Sequence, residues 1–84
     1  MTFNIILEER VKKEDLPNIP KANALQIIRA LDERLAVDPV GCGKPLQYKL
    51  KGAWRLRVGD WRVLYRIKGK EVTVFAIDLR RDAY

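Results

Sequence analysis

The chain has 84 residues, one cysteine, Cys42, no histidine and a formal net charge of +6 at pH 7. A lone cysteine excludes an internal disulfide, and without histidines or a cysteine pair we expect neither a metal nor another cofactor. The length predicts a single domain over residues 1–84, and a 48% hydrophobic content predicts a folded one. Since the sequence has neither a signal-peptide pattern nor an apolar run of roughly 20 residues, we expect a cytoplasmic protein with no membrane contact.

The positive charge is concentrated in the second half of the chain. Residues 1–43 hold six Lys or Arg and seven Asp or Glu, whereas residues 44–84 hold eleven Lys or Arg and four Asp or Glu. A one-sided cationic surface attracts polyanions such as RNA, DNA, the ribosome or an acidic protein segment. The alternative is a solvated basic surface without a partner.

The first half predicts one strand and two helices. Residues 3–7 are apolar and β-favouring, which indicates a strand, and residues 11–16 indicate a short helix stopped by Pro17 and Pro20. Residues 21–37 predict the main helix, and residues 41–45 a loop rich in turn formers. The main helix has an apolar stripe that must pack against the rest of the fold: Leu25, Ile28, Leu31 and Leu35, with Ala24 and Ile27 beside them.

The second half changes from helical to alternating periodicity and predicts three strands, over residues 54–58, 61–67 and 72–79. Tight turns at 59–60 and 68–71 join them into consecutive antiparallel strands. The third strand carries almost no charge, which is typical of a strand inside a sheet. The fold class is therefore α+β in the order β-α-α-β-β-β, with the helical stripe packed on one face of the sheet: Trp54, Leu56, Trp61, Val63 and Tyr65.

The arginines of the first two strands of this sheet alternate with those apolar residues and share the opposite face: Arg55, Arg57, Arg62 and Arg66. The two-residue turn places Arg57 opposite Arg62. Like charges across a ladder repel, and few acids are expected nearby, so this arginine face favours phosphate binding over a merely solvated surface.

Cleavage of RNA at such a face needs a base for the 2′-hydroxyl and stabilisation of the charged transition state. With no histidine in the chain, the phenol of Tyr84 is the remaining candidate for the base, although Tyr84 could equally pack its ring on the sheet. Arginine stays protonated and acts as an electrostatic clamp. Such a catalyst is weak alone and needs a partner that positions the RNA.

Two stretches resemble a known family. Residues 50–65, with the sequence LKGAWRLRVGDWRVLY, and residues 80–84, RRDAY, are similar to the hairpin and closing motifs of the RelE/ParE toxins. The resemblance implies the RelE-like fold and the role of toxin in a type II toxin–antitoxin pair. It also implies a cognate antitoxin that wraps the toxin, in a hetero-oligomer that can bind operator DNA.

RelE-type members enter the ribosomal A site and cleave the mRNA there, so the resemblance implies an mRNA interferase with ribosome and mRNA as partners. It assigns catalytic roles to Arg55, Arg62, Arg81 and Tyr84. It assigns nucleic-acid binding to basic residues in and around the hairpin and at the chain end: Lys49, Lys51, Arg55, Arg57, Arg62, Arg66 and Arg80. The alternatives are ParE-type inhibition of DNA gyrase and a non-toxic regulatory module.

Overall fold

A five-stranded sheet forms the centre of the computed structural model, which describes residues 2–46 and 52–79. In chain order the strands are β1 (Asn4–Leu7), β2 (Lys44–Pro45), β3 (Trp54–Val58), β4 (Trp61–Lys68) and β5 (Glu71–Leu79). Their order in the sheet is β1-β5-β4-β3-β2, with β1 parallel to β5 and every other pair antiparallel.

The α+β class and the three consecutive antiparallel strands are confirmed. β5 lies between β1 and β4, as its lack of charge predicted. The short β2 falls inside the segment predicted to be a loop and pairs with the start of β3. Among the described residues, no helix is long and apolar enough to cross a membrane.

The first helical segment is a π-helical turn, Val11–Asp15, followed by a 3₁₀ turn, Leu16–Asn18. Pro17 does not stop this segment, because a proline in the first turn of a helix removes no required hydrogen bond, but the helical residues end at Asn18, ahead of Pro20 as predicted. The segment closes on the sheet through Asp15, whose carboxylate accepts the backbone N–H of Ile77 at 3.0 Å. The pairing of β1 with β5 ends at Val74, before Ile77. Asp15 therefore provides an acceptor for a backbone N–H that β1 does not reach.

Helix α1 (Lys21–Ala30) continues through a π-helical turn, Leu31–Leu35. It packs through Ile27, and the turn through Leu31 and Leu35, all with at most 5% of their surface exposed. The prediction that Leu25 and Ile28 belong to the packed stripe was wrong, since they are 59% and 47% exposed. The apolar arc of α1 is wider than the face that one sheet can cover, so these two side chains stay outside the core.

The core lies between the helical layer and one face of the sheet. Its centre holds the fully buried side chains of Leu56, Val63, Tyr65, Val72 and Val74. Trp54 and Trp61 are partly buried and pack against this cluster, which confirms their predicted role as core residues.

A β-bulge interrupts the pairing of β4 with β5. Tyr65 pairs with Val74, but its neighbour Leu64 pairs with Ala76, so Phe75 has no partner on β4. Beyond the bulge, Arg62 lies opposite Asp78. Because one extra residue reverses which face each later side chain occupies, the bulge places Asp78 on the arginine face.

Candidate nucleic-acid interface

The centre of the interface is a cross-strand pair of arginines. Arg57 on β3 and Arg62 on β4 are Cα partners, as predicted from the two-residue turn. Alternation along β3 places Arg55 on the same face, two residues from Arg57. The sheet thus brings together three of the arginines that the sequence assigned to this site.

Arg62 is held by a carboxylate. Its Nε donates to Asp78 Oδ1 at 2.9 Å and its Nη2 donates to Oδ2 at 3.0 Å, a bidentate pair. Hydrogen bonding to Asp78 raises the pKa of Arg62. The sequence predicted few acids near the arginine face, and it did not place Asp78 there; the bulge turns Asp78 toward Arg62. Arg62 is therefore a fixed cation whose charge is partly compensated.

Arg66 lies apart from the other three. It is four residues beyond Arg62 along β4, which corresponds to about 13 Å in an extended strand. Its guanidinium sits 5.0 Å from the ring centroid of Phe75, the residue at the bulge, in a cation–π contact. A ligand would therefore have to extend along the strand to meet both Arg62 and Arg66.

A cationic cleft of about 130 Å³ borders the arginine pair. Its lining residues are Arg34, Cys42, Lys44, Arg55 and Arg57. Among the residues that the structure describes, no ion pair joins any of these four cations to a carboxylate. The sequence interpretation missed Arg34 and Lys44: it gave Arg34 no role in the site and placed Lys44 in a loop. The short pairing of β2 with β3 aligns Lys44 with Arg55.

The loop that carries Lys44 is fixed by a buried tyrosine. The Tyr65 hydroxyl donates a 2.6 Å hydrogen bond to the Pro39 carbonyl, and a Cβ at Gly43 would overlap that hydroxyl. Burial raises the pKa of Tyr65 and the pKa of the neighbouring Cys42 thiol, so both groups are neutral at neutral pH. The loop therefore contributes no negative charge through these two groups.

Five of the predicted site residues lie outside the described residues, and their roles stay predictions: Lys49, Lys51, Arg80, Arg81 and Tyr84. Within residues 2–46 and 52–79, no group of three or more His, Cys, Asp or Glu residues could hold a metal ion. The described part of the site can thus bind and orient a polyanion and stabilise negative charge, because arginine remains protonated.

Comparison with known proteins places this chain in a class of small toxins. The family model for the ParE toxin of type II toxin–antitoxin systems matches residues 6–84. Toxin RelG from Mycobacterium tuberculosis is 32% identical over 74 residues, which cover 86% of this chain and 85% of that protein. The chain therefore belongs to the RelE/ParE superfamily of toxins, as its hairpin motif predicted.

Solved structures share the whole architecture. The RelBE2 toxin–antitoxin complex from Mycobacterium tuberculosis matches with a TM-score of 0.89 and 26% identity, over 95% of this chain and all of that one. The RelE–RelB complex from Pyrococcus horikoshii matches with a TM-score of 0.76 and 25% identity, over 99% of this chain and all of that one. A chromosomal ParDE system from Pseudomonas aeruginosa matches with a TM-score of 0.66 and 18% identity, over 95% of this chain and 98% of that one, a likeness of fold alone.

Proposed function

We propose that this toxin is a ribosome-dependent endoribonuclease that cleaves translated mRNA and so inhibits protein synthesis. The observation that carries the proposal is the pairing of Arg57 with Arg62 on one sheet face, with Arg55 two residues away on the same side. This arrangement offers several positive charges to one stretch of RNA backbone.

The proposed chemistry is attack of a ribose 2′-hydroxyl on the adjacent phosphate. The new O2′–P bond gives a 2′,3′-cyclic phosphate, the P–O5′ bond breaks, and the departing 5′-oxygen takes up a proton from solvent. The arginines stabilise the negative charge that develops on the phosphate oxygens, and Asp78 keeps the Arg62 guanidinium in one orientation before the substrate arrives. Tyr84 is the proposed base, and Arg80 or Arg81 is the proposed cation near the end of the chain. Both assignments rest on the resemblance of residues 80–84 to the closing motif of the family. Since the chain has no histidine, the ribosome must supply the positioning that makes this weak set effective.

The proposed protein partner is a cognate antitoxin. The RelBE2 complex and the archaeal RelE–RelB complex, which match this chain at 26% and 25% identity, are both toxin–antitoxin complexes. A face with three clustered arginines favours an antitoxin segment of complementary, acidic charge. The pair would form a hetero-oligomer, and its binding to operator DNA belongs to the same proposal.

Inhibition of DNA gyrase is the second candidate. The matching family model describes a ParE toxin, and the Asp78 carboxylate compensates part of the Arg62 charge that a nuclease would direct at phosphate. A non-toxic regulatory module is the third possibility, and growth arrest on expression separates it from the other two. Gyrase inhibition would alter DNA supercoiling and leave mRNA intact.

The test is primer extension on a defined mRNA programmed into purified ribosomes, with the wild type, Arg62→Ala and Tyr84→Phe. Arg29→Ala is the matched control, because Arg29 is an exposed cation of α1 outside the interface. We expect codon-positioned cuts that need the ribosome, weaken by about 100-fold or more in Arg62→Ala and persist in the control. Intact mRNA with a folded, growth-arresting wild type would overturn the nuclease proposal and direct the next assay to gyrase.

A further inference from the structure

The cationic cleft lies where the edge of the sheet meets the helical layer. β2 is two residues long and pairs only with Trp54 and Arg55, so the rest of β3 has no partner strand on that side among the described residues. Arg34, in the π-helical turn after α1, lines the same cleft as Arg57. Cations from the helical layer and from the sheet therefore converge at this edge.

We propose that this cleft binds a second phosphate of the RNA backbone, with Arg34 and Lys44 as positioning residues beside the arginine face. The proposal rests on the proposed function in taking single-stranded RNA as the ligand of that face. It adds two residues that neither the hairpin motif nor the closing motif contains.

The register supports a continuous path for the ligand. Lys44 is the Cα partner of Arg55, so their side chains share one face of the sheet. Arg57 borders the cleft and also lies opposite Arg62. A polynucleotide that contacts the Arg57–Arg62 pair can thus place a neighbouring phosphate in the cleft without leaving this side of the molecule.

The charge balance of the cleft favours an anion. Its four cations make no ion pair within the described part of the chain, in contrast to Arg62 with its Asp78 partner. Clustered like charges repel unless an anion or solvent compensates them. The Cys42 thiol adds no negative charge, since burial raises its pKa.

The size and lining of the cleft distinguish a phosphate from larger ligands. At about 130 Å³ it is well below the roughly 300–1,000 Å³ of small-molecule pockets, so it suits one ionic group and not a whole nucleotide. An acidic peptide is the competing ligand, but stable protein interfaces anchor buried apolar or aromatic side chains, and this lining offers four cations and one cysteine. The phosphodiester backbone fits the lining better.

The test is fluorescence anisotropy with a short, labelled single-stranded RNA over a series of salt concentrations. The variants are Arg34→Gln and Lys44→Gln, both at exposed positions, so folding should be preserved. Matched controls are Arg29→Gln and Lys12→Gln, which remove the same charges from exposed helical positions away from the cleft. Circular dichroism verifies that all four variants fold.

We expect each cleft variant to bind about tenfold more weakly at low salt, with a salt slope shallower by about 0.7, and each control to bind like the wild type. Equal behaviour of cleft and control variants, or no saturable binding by the wild type, would overturn the cleft proposal. Loss of antitoxin binding with RNA binding unchanged would overturn it in favour of a protein segment.

The ribosome assay separates this proposal from the proposed function. If the cleft variants weaken RNA binding but the wild type leaves mRNA intact on the ribosome, the subsite stands and the nuclease proposal fails. If the wild type cleaves mRNA and the cleft variants bind RNA like the controls, the nuclease stands and the subsite fails.

Discussion

The two edges of the sheet differ in what they offer to a partner. At the β3 edge, the exposed groups are cations that line a narrow cleft. At the β1 edge, an open cleft of about 270 Å³ lies between the strand and the helical layer, and its lining is apolar except for one carboxylate: Ile5, Leu7, Ile28, Leu31 and Asp32. The cations of the β3 edge attract an anion, whereas exposed apolar surface is stabilised by contact with another apolar surface. Of these two edges, the β3 edge is therefore the one suited to a polyanion.

A single helical layer produces both edges. Ile28 of α1 faces the apolar cleft, and Arg34, six residues later, faces the cationic one. Ile27, Leu31 and Leu35 lie between them and fix the helix on the sheet. The contrast between the edges therefore depends on the rotation of this helix, which a few buried side chains set.

The largest expected effect comes from truncating a buried side chain that holds α1 in this orientation. Ile27→Ala should lower the free energy of unfolding by about 2–5 kcal/mol, because Ile27 is fully buried and its truncation leaves a cavity. Leu25→Ala is the matched control and should change it by no more than about 0.5 kcal/mol, since Leu25 is 59% exposed. Urea unfolding measures both, and equal losses would contradict the orientation of α1.

The next effect concerns the loop that precedes Lys44 at the cationic cleft. Tyr65→Phe removes the hydrogen bond to the buried Pro39 carbonyl and should cost about 1–3 kcal/mol in the free energy of unfolding. It should also weaken RNA binding, because the loop before Lys44 loses its attachment. An RNA affinity and a stability both equal to those of the wild type would show that this bond does not fix the cleft.

The same tyrosine predicts a pH dependence. Burial raises the pKa of Tyr65 in the folded state above the unfolded value of about 10, so the folded protein retains a proton that the unfolded chain releases. The stability from this group is complete below about pH 10 and falls as the pH rises above it. Unfolding measured in alkaline buffers should show this fall in the wild type, and the fall should be smaller in Tyr65→Phe.

The smallest expected effect on stability is that of Asp78→Asn, which tests what Asp78 does for Arg62. Asp78→Asn removes the ion pair with Arg62, and a partly exposed pair of this kind contributes less than about 1 kcal/mol. RNA binding should instead become tighter, with a salt slope steeper by about 0.7, because Arg62 gains full charge toward phosphate. Weaker RNA binding would mean that orientation by Asp78 matters more than the charge it compensates.

The hairpin of β3 and β4 could be predicted in detail from the sequence. Strict alternation assigned each side chain to a face, and the two-residue turn at Gly59, which adopts φ of 61°, set Arg57 opposite Arg62. Both are local properties, determined by sterics within a few residues. The composition and the family motif likewise sufficed for the fold class and the superfamily.

The partner of Arg62 could not be predicted in that way. Continued from the turn between Lys68 and Glu71, a regular ladder would set Arg62 opposite Ile77 and place Asp78 on the core face. A β-bulge prevents this regular register. Its one signal in the sequence is the spacing of the buried residues, which is two from Val72 to Val74 and three from Val74 to Ile77. The core requires Ile77 inside, so the register shifts and Asp78 moves to Arg62.

The sequence by itself thus determined the order of the elements, the sidedness of the hairpin and the concentration of positive charge. The tertiary structure alone decided which apolar residues of α1 reach the core and how Arg34 and Lys44 join Arg55 and Arg57 in one cleft. The physical reason is the range of the interactions. Turn geometry and side-chain alternation act between neighbours in the chain, whereas the rotation of a helix and the register across a bulge minimise the free energy of a core built from distant segments.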